Sequence, residues 1–172
     1  QAIREHLAAW QQADITFVRD GGDAYGVSER ARELAGAYGI DYRTPIFAIH
    51  KRGHYGGIVG LPFDDRKEYR DLVDRARKQG ADFIKIMISG IMEFDTYGKL
   101  TEEGLDAELI SYMIETAHDA GLKVMAHGNG DRTVQAALAA GVDTLEHGNY
   151  MEEETLCQLA ESPTIWVPTF AP

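Results

Sequence analysis

The stretch "KVMAHGNGDRTVQAALAAGVDTLEH", Lys123–His147, holds one complete strand–helix–strand unit. Two short apolar runs, 123–127 and 143–147, each close on a histidine followed by glycine. The helix expected between them, 131–140, opens on Asp131, whose side-chain oxygen can accept an orphan amide hydrogen. It stops before Gly141, where a left-handed residue is favoured. Strands joined by such a crossover run parallel, so their carboxyl ends share one rim. The spacing of 20 residues between His127 and His147 therefore places both imidazoles at that rim, in the same phase and pointing into one site.

The same alternation extends in both directions. Strands are expected at 15–20, 45–50, 82–88, 123–127, 143–147 and 164–169, and helices at 3–13, 27–38, 64–79, 105–120, 131–140 and 152–161. Asp64 or Asp65 can cap one helix start, and "KQGAD", "DAGLK" and "AAGVD" each put a glycine just past a helix. Repeated alternation implies an α/β fold with a parallel sheet. An open doubly wound sheet and an arc of a (β/α)8 barrel both fit, and both bind ligands at the carboxyl ends of their strands. No GxGxxG or GxxxxGK[ST] loop follows the first strand, which weakens the nucleotide-binding open sheet. A complete barrel takes about 250 residues, and six strands leave it two short.

The 172 residues carry 17 Lys+Arg against 28 Asp+Glu, a formal charge of −11. A chain of this sign repels phosphate backbones and anionic lipid, so neither nucleic acid nor a membrane surface is an expected partner. No apolar run approaches the roughly 20 residues that span a bilayer. Cys157 is the only cysteine. It excludes a disulfide framework and a cysteine-rich zinc site, is compatible with a cytoplasmic location, and falls in an expected helix, where it is read as buried and inert. The chain opens on "QAIREHLAAWQQA", like the middle of an amphipathic helix, and closes on "TIWVPTFAP". Residues 1–172 are accordingly expected to be a single incomplete domain, a piece of a longer protein.

In "ADFIKIMISG" the side chains alternate, so Ile84, Ile86 and Ile88 share one face and Phe83, Lys85 and Met87 the other. The isoleucine face suits packing against helices. Lys85 then points to the opposite side of the sheet, where an unpaired ammonium is costly. It can snorkel to the strand end or pair with an acid. Alternatively, a neutralised amine can serve as a nucleophile, a Schiff-base former or a site of carbon dioxide addition. A single strand-end histidine is usually a satisfied structural residue, but two that converge supply half of a tetrahedral metal site. His118, in a last helical turn, suits the helix dipole. His54, in the glycine-rich "KRGHYGG", is a candidate for substrate contact, and Asn129 and Arg132 lie just beyond His127 at the same mouth. Asp131 is better explained as a cap than as a base, and Glu152–Glu154 as a solvated helix start.

"GADFIKIMISG", "AHDAGLKVMAHGNG", "ALAAGVDTLEHGNYMEEETL" and "VPTF", with the earlier "TFVRDGGD" and "GHYGG", resemble in order the signatures of the amidohydrolase superfamily, closest to its imidazolonepropionase-like and prolidase-like branch. The resemblance implies a partial (β/α)8 barrel of about six parallel strands, corresponding to barrel strands two to seven. It implies two divalent metal ions, zinc in the first instance, with Lys85 as a carboxylated lysine bridging them and His127 and His147 as ligands of the second. Metal bound there activates water for attack on an amide or ester carbon. The sequence departs from the family pattern in three ways. It has no His-x-His pair, it has no eighth-strand aspartate to handle the proton, and Asn129 stands where peptidase-like members carry a tyrosine. The implied activity is hydrolysis of small amides, cyclic amides or dipeptides by the full-length protein, with this chain inactive alone and associating with itself or with the rest of its own chain. Two alternatives stand beside it: a catalytically silent association unit, and an aldolase-like barrel with a Schiff-base lysine, which borohydride trapping would reveal.

Overall fold

The computed structural model describes residues 1–169; Phe170 of the "VPTF" motif lies outside them. The elements, in chain order, begin with α1 (Ala2–Gln12), β1 (Phe17–Arg19), α2 (Val27–Ala35, continued by a 3-10 turn at Gly36–Tyr38), β2 (Asp41–Arg43), β3 (Ala48–Lys51) and β4 (Gly60–Phe63). There follow α3 (Arg66–Lys78), β5 (Ile84–Met87), α4 (Ala107–Asp119), β6 (Val124–Gly128), α5 (Asp131–Ala139), β7 (Thr144–His147), α6 (Glu153–Glu161) and β8 (Ile165–Val167). Six strands form a parallel sheet in the order β4-β3-β5-β6-β7-β8, and β1 and β2 form a parallel pair of their own.

The six-stranded sheet thus has a different membership from the one expected. The strand expected at 15–20 pairs with β2 instead, and the strand expected at 45–50 is the second half of a longer extended segment. That segment breaks between Arg43 and Ala48, where Ile46 takes a φ of +71°. Successive carbonyls of the segment still point to opposite sides: Arg43 O accepts from Asp20 N on the β1 side, and Thr44 O from Asp82 N beside β5. β4 was hidden by its composition, "GLPF". Proline lacks a ladder donor and is confined to edges, and β4 is an edge strand in which Pro62 sits opposite His50.

The sheet is curved. Arg19 on β1 donates to Glu146 on β7 at 2.6 Å, an ion pair spanning 127 residues of chain. Because β1 flanks the extended segment that continues into β3, four inter-strand gaps of about 4.8 Å would separate it from β7 if the β1–β2 pair and the sheet lay flat, roughly 19 Å, more than the two side chains reach together. The pair therefore closes across the concave face, as in an arc of a barrel. On the convex face Ile84, Ile86 and Ile88 are buried with Tyr69 and Val73 of α3 and Ile110, Met113, Ile114 and Ala117 of α4, as the alternation in this strand requires. A second, smaller core joins α1 and α2 to β2 through Leu7, Ala31, Ala35, Ile40 and Tyr42.

The caps hold with one change. Asp65 accepts from Glu68 N at 2.8 Å, and Gly80, Gly121 and Gly141 all take positive φ. Asp131, however, does not cap its own helix. Its carboxylate accepts from Glu152 N (2.8 Å) and Thr155 Oγ1 (2.5 Å), tying the start of α6 to α5. Cys157 is exposed rather than buried. Thr155 and Leu159, four residues apart, form the buried face of α6, and position 157 lies between them on the outer face. Asp143 accepts from His118 Nε2 at 2.8 Å and from Val124 N, a structural role for that histidine.

Asp23, in "TFVRDGGD", collects amide hydrogens from Tyr25 (2.6 Å), Val27 (3.2 Å) and Ser28 (2.6 Å) at the start of α2, and the Ser28 hydroxyl as well. Burial pushes its carboxyl up, but the bonds from Ser28, Tyr25 and Val27 outweigh that and hold it below the ordinary carboxylate value. Asp23→Ala in the full-length protein is expected to cost about 1 kcal/mol, the usual worth of a helix cap, read as a lower denaturant midpoint. Because the folded-state value is depressed, the increment is present above about pH 4 and is lost as pH falls through the folded value; the variant should not show that loss.

Candidate active site

His127 and His147 meet at the carboxyl rim of β6 and β7, and Lys85 of β5 stands near enough for its charge to act on both. Register sets the first part of the arrangement. Met87 lies opposite His127, and His127 opposite Glu146. Lys85, His127 and Glu146 therefore share the concave face. His147 is one residue further on and, by strict alternation, belongs to the other face. Its φ of +70° is the left-handed conformation that non-glycine residues rarely adopt, and it turns the ring back. The two imidazoles stand edge to face with centroids 4.7 Å apart. The equal phase expected for the two histidines is thus corrected to an offset of one residue, made good by backbone geometry. Gly148 follows with φ +66°, and a Cβ there would come within 2.8 Å of Trp166 Nε1, the group that donates to His147 O.

Hydrogen bonds select the histidine nitrogens. His127 Nε2 lies 3.1 Å from the Gly90 carbonyl. A carbonyl only accepts, so Nε2 carries the proton and Nδ1 keeps its lone pair. His147 Nδ1 contacts Thr169 Oγ1 at 2.7 Å, which leaves Nε2 as the unengaged nitrogen among the described residues. Burial drives the His127 value down to about 3, helped by His147 and Lys85; burial and Lys85 also lower His147, against the pull of Glu146. Both rings are therefore neutral near pH 7.

Lys85 is 7% exposed. No carboxylate among the described residues forms an ion pair with it. Burial lowers its ammonium to about 8, against the nearby Glu146 charge and with the help of Arg19. Glu146 is itself committed to Arg19 and to the Thr144 hydroxyl. The lysine is thus an amine poised to lose its proton rather than the partner of an acid.

The remaining expected residues are distributed around the rim. His54 is partly exposed and lies 3.3 Å from Glu102. Asn129 is buried and its amide is engaged at both ends: Nδ2 donates to Gly90 O, and Oδ1 accepts from Asn149 N and Nδ2. That bonding makes it a tie between the β5, β6 and β7 loops. Arg132 is exposed and lines a groove of about 700 Å3 formed by residues 98–107 and the first turn of α5, which none of Lys85, His127 and His147 lines. Among the described residues no three His, Cys, Asp or Glu side chains gather at metal-binding spacing; the cluster is two imidazoles and an amine.

Three participants escape a reading of the sequence. Tyr55 lays its ring 4.8 Å from that of His127, and only its place beside His54 in a glycine-rich loop hinted at it. Gly90 contributes a carbonyl, and Glu146 becomes visible only once the register is known.

A curved parallel sheet with nitrogen donors gathered at its carboxyl rim is the architecture of barrel hydrolases. The Amidohydrolase family profile matches residues 1–166, and the chain belongs to that family. Ochratoxinase of Aspergillus niger is 29% identical over 149 residues, 86% of this chain. A prolidase solved with N-methylphosphonate-L-proline superposes with a TM-score of 0.76 at 26% identity, over 98% of this chain and 45% of the other. The solved A. niger ochratoxinase gives a TM-score of 0.72 at 24% identity, over 95% and 43%. The chain spans 29% of the length of the curated ochratoxinase it matches. No helix among the described residues is long and apolar enough to cross a membrane.

Proposed function

We propose that the full-length protein is a metal-dependent hydrolase of C–N bonds in small amides, cyclic amides or dipeptides, and that Lys85, His127 and His147 hold its metal. The observation that carries this reading is the convergence of the three groups, in which each ring is oriented by one nitrogen and keeps the other for a ligand. A metal-binding histidine characteristically gives its second N–H to a carbonyl or carboxylate, as His127 does to Gly90. Once deprotonated, which its lowered value of about 8 favours, the Lys85 amine can add carbon dioxide through a new N–C bond with release of one proton; the resulting carbamate supplies oxygen donors in place of a cation. When bound, a divalent metal supplies Lewis-acid polarisation of the carbonyl and activation of water. The chain's own residues do the rest. Gly90 fixes the His127 tautomer, the Arg19–Glu146 pair braces β7 beneath the site, and Tyr55 covers one side of His127.

The relatives support the substrate class, since a prolidase and an ochratoxinase are among them. The aspartate and the His-x-His pair that the family resemblance implies belong to the full-length protein rather than to residues 1–172, so turnover is assigned to the whole. Zinc, two ions per chain and a cytoplasmic location complete the proposal. Purified full-length protein is expected to contain zinc or a similar ion by mass spectrometry and to hydrolyse members of a panel of dipeptides, N-acyl amino acids and cyclic amides. A chelator should abolish that activity, and zinc or manganese should restore it. Activity unchanged after metal removal would contradict the proposal.

A second reading rests on β8. Ile165, Trp166 and Val167 are exposed, and among the described residues β8 pairs only with β7. An open apolar edge of this kind seeks a partner strand, so association with further strands of the same chain or with a second copy is expected. Light scattering on residues 1–172 tests it: a dispersed monomer would dismiss self-association.

A further inference from the structure

Two rim loops that carry no expected metal ligand meet over His127. One is the β3–β4 loop, 52–59, with "GHYGG"; the other is the β5–α4 connection, 88–106. Tyr55 on the first rests against the His127 ring, and its position is fixed from two directions. Gly56 has φ +123°, and a Cβ there would lie 2.8 Å from His50 Cβ and from Met87 Cγ, so the loop lies hard against the strand ends. The Tyr55 amide donates to Glu102 Oε1 at 2.7 Å, and the same oxygen is 3.3 Å from His54 Nδ1.

Glu102 is anchored in turn to the residue that orients His127. Gly90 N donates to Glu102 O, and a Cβ on Gly90 would lie 2.6 Å from Thr101 Oγ1 and 2.7 Å from Glu102 N. The Gly90 carbonyl receives the His127 N–H. A closed circuit results: Gly90 holds His127 from one side, and Gly90, through Glu102 and the Tyr55 amide, brings an aromatic ring onto it from the other. Glu102 lies 47 residues from Tyr55 in sequence, and among the described residues its carboxylate is engaged only by the β3–β4 loop, at Tyr55 N and His54 Nδ1.

We propose that Glu102 is a positioning residue that fixes Tyr55 against His127, so that the Tyr55 ring forms a wall of the substrate pocket. The word substrate rests on the hydrolase reading; the loop geometry does not. A charge-assisted hydrogen bond of this kind is worth about tenfold or more in a local opening equilibrium.

The test uses the full-length, metal-loaded protein with two readouts. In hydrogen–deuterium exchange, Glu102→Ala is expected to speed exchange within 52–57 by about tenfold, while Glu102→Gln, which keeps an acceptor oxygen, stays close to the parent. In steady-state kinetics on the best-hydrolysed amide of the panel, Glu102→Ala and Tyr55→Ala should each raise KM with little change in kcat and no change in metal content. The double variant should be no worse than either single one, because both remove the same wall. Unchanged exchange in Glu102→Ala, failure of Glu102→Gln to restore slow exchange, or additive KM effects in the double variant would each overturn the proposal. If no amide is hydrolysed, the hydrolase reading fails and the exchange readout alone decides the role of Glu102.

Discussion

Replacing Lys85 by alanine in the full-length protein is expected to lower kcat/KM by about 10³ or more, the scale set by loss of one preorganised charge-stabilising group. Metal content should fall with it. Compared as metal-free, unmodified proteins, the parent and the variant should not differ by a loss of stability. Lys85 is buried, lacks an ion-pair partner among the described residues, and has its ammonium lowered by burial. Removing an uncompensated buried cation relieves a cost rather than creating one. Lys85→Met, which fills the space with an apolar chain, should therefore leave the unfolding midpoint unchanged or raised while remaining inactive. A large drop in stability for Lys85→Met, with activity retained, would mean that the amine is a structural group and that the site lies elsewhere.

The second large effect belongs to the convex core. Tyr69 on α3 is fully buried. Its ring meets Phe63 of β4 edge-on at 5.2 Å, and its hydroxyl donates to Met113 O on α4 at 2.9 Å. One side chain thus joins the edge strand to two helices. Tyr69→Ala removes the apolar contacts and leaves a cavity, at an expected cost of about 3–5 kcal/mol. Tyr69→Phe keeps the ring and gives up only the hydrogen bond, at about 1 kcal/mol. Denaturant unfolding of both variants separates packing from hydrogen bonding, and equal losses for the two would show that the hydroxyl, not the ring, carries the residue.

Much of this architecture was legible in the residues. The alternation of isoleucines 84, 86 and 88 against Lys85 follows from the two-residue period of a strand, and the structure places the isoleucines under helices and the lysine on the concave face. The glycines after α3, α4 and α5 marked the helix ends because left-handed geometry favours them. Short elements were less legible. β2, "DYR", and β4, "GLPF", are held by pairing rather than by pattern, and neither carries an apolar run long enough to declare itself. The site was legible in its members but not in its geometry. His127 and His147 lie in register positions that differ by one residue, and only the left-handed backbone at His147 brings the rings together. Glu102 was invisible for another reason: nothing local distinguishes it from its neighbour Glu103, and its role exists only through the fold. The amide of Asn129, expected at the substrate, also ties three loops to one another, a role that only the fold reveals.

The most direct measurement is a crystal structure of the zinc-loaded full-length protein, with anomalous scattering recorded at the zinc edge. Zinc density is expected between the end of Lys85, Nδ1 of His127 and Nε2 of His147, with continuous density for a carbamate on the lysine. Zinc bound away from these groups, or side chains at 85, 127 and 147 that point to different surfaces, would contradict the account.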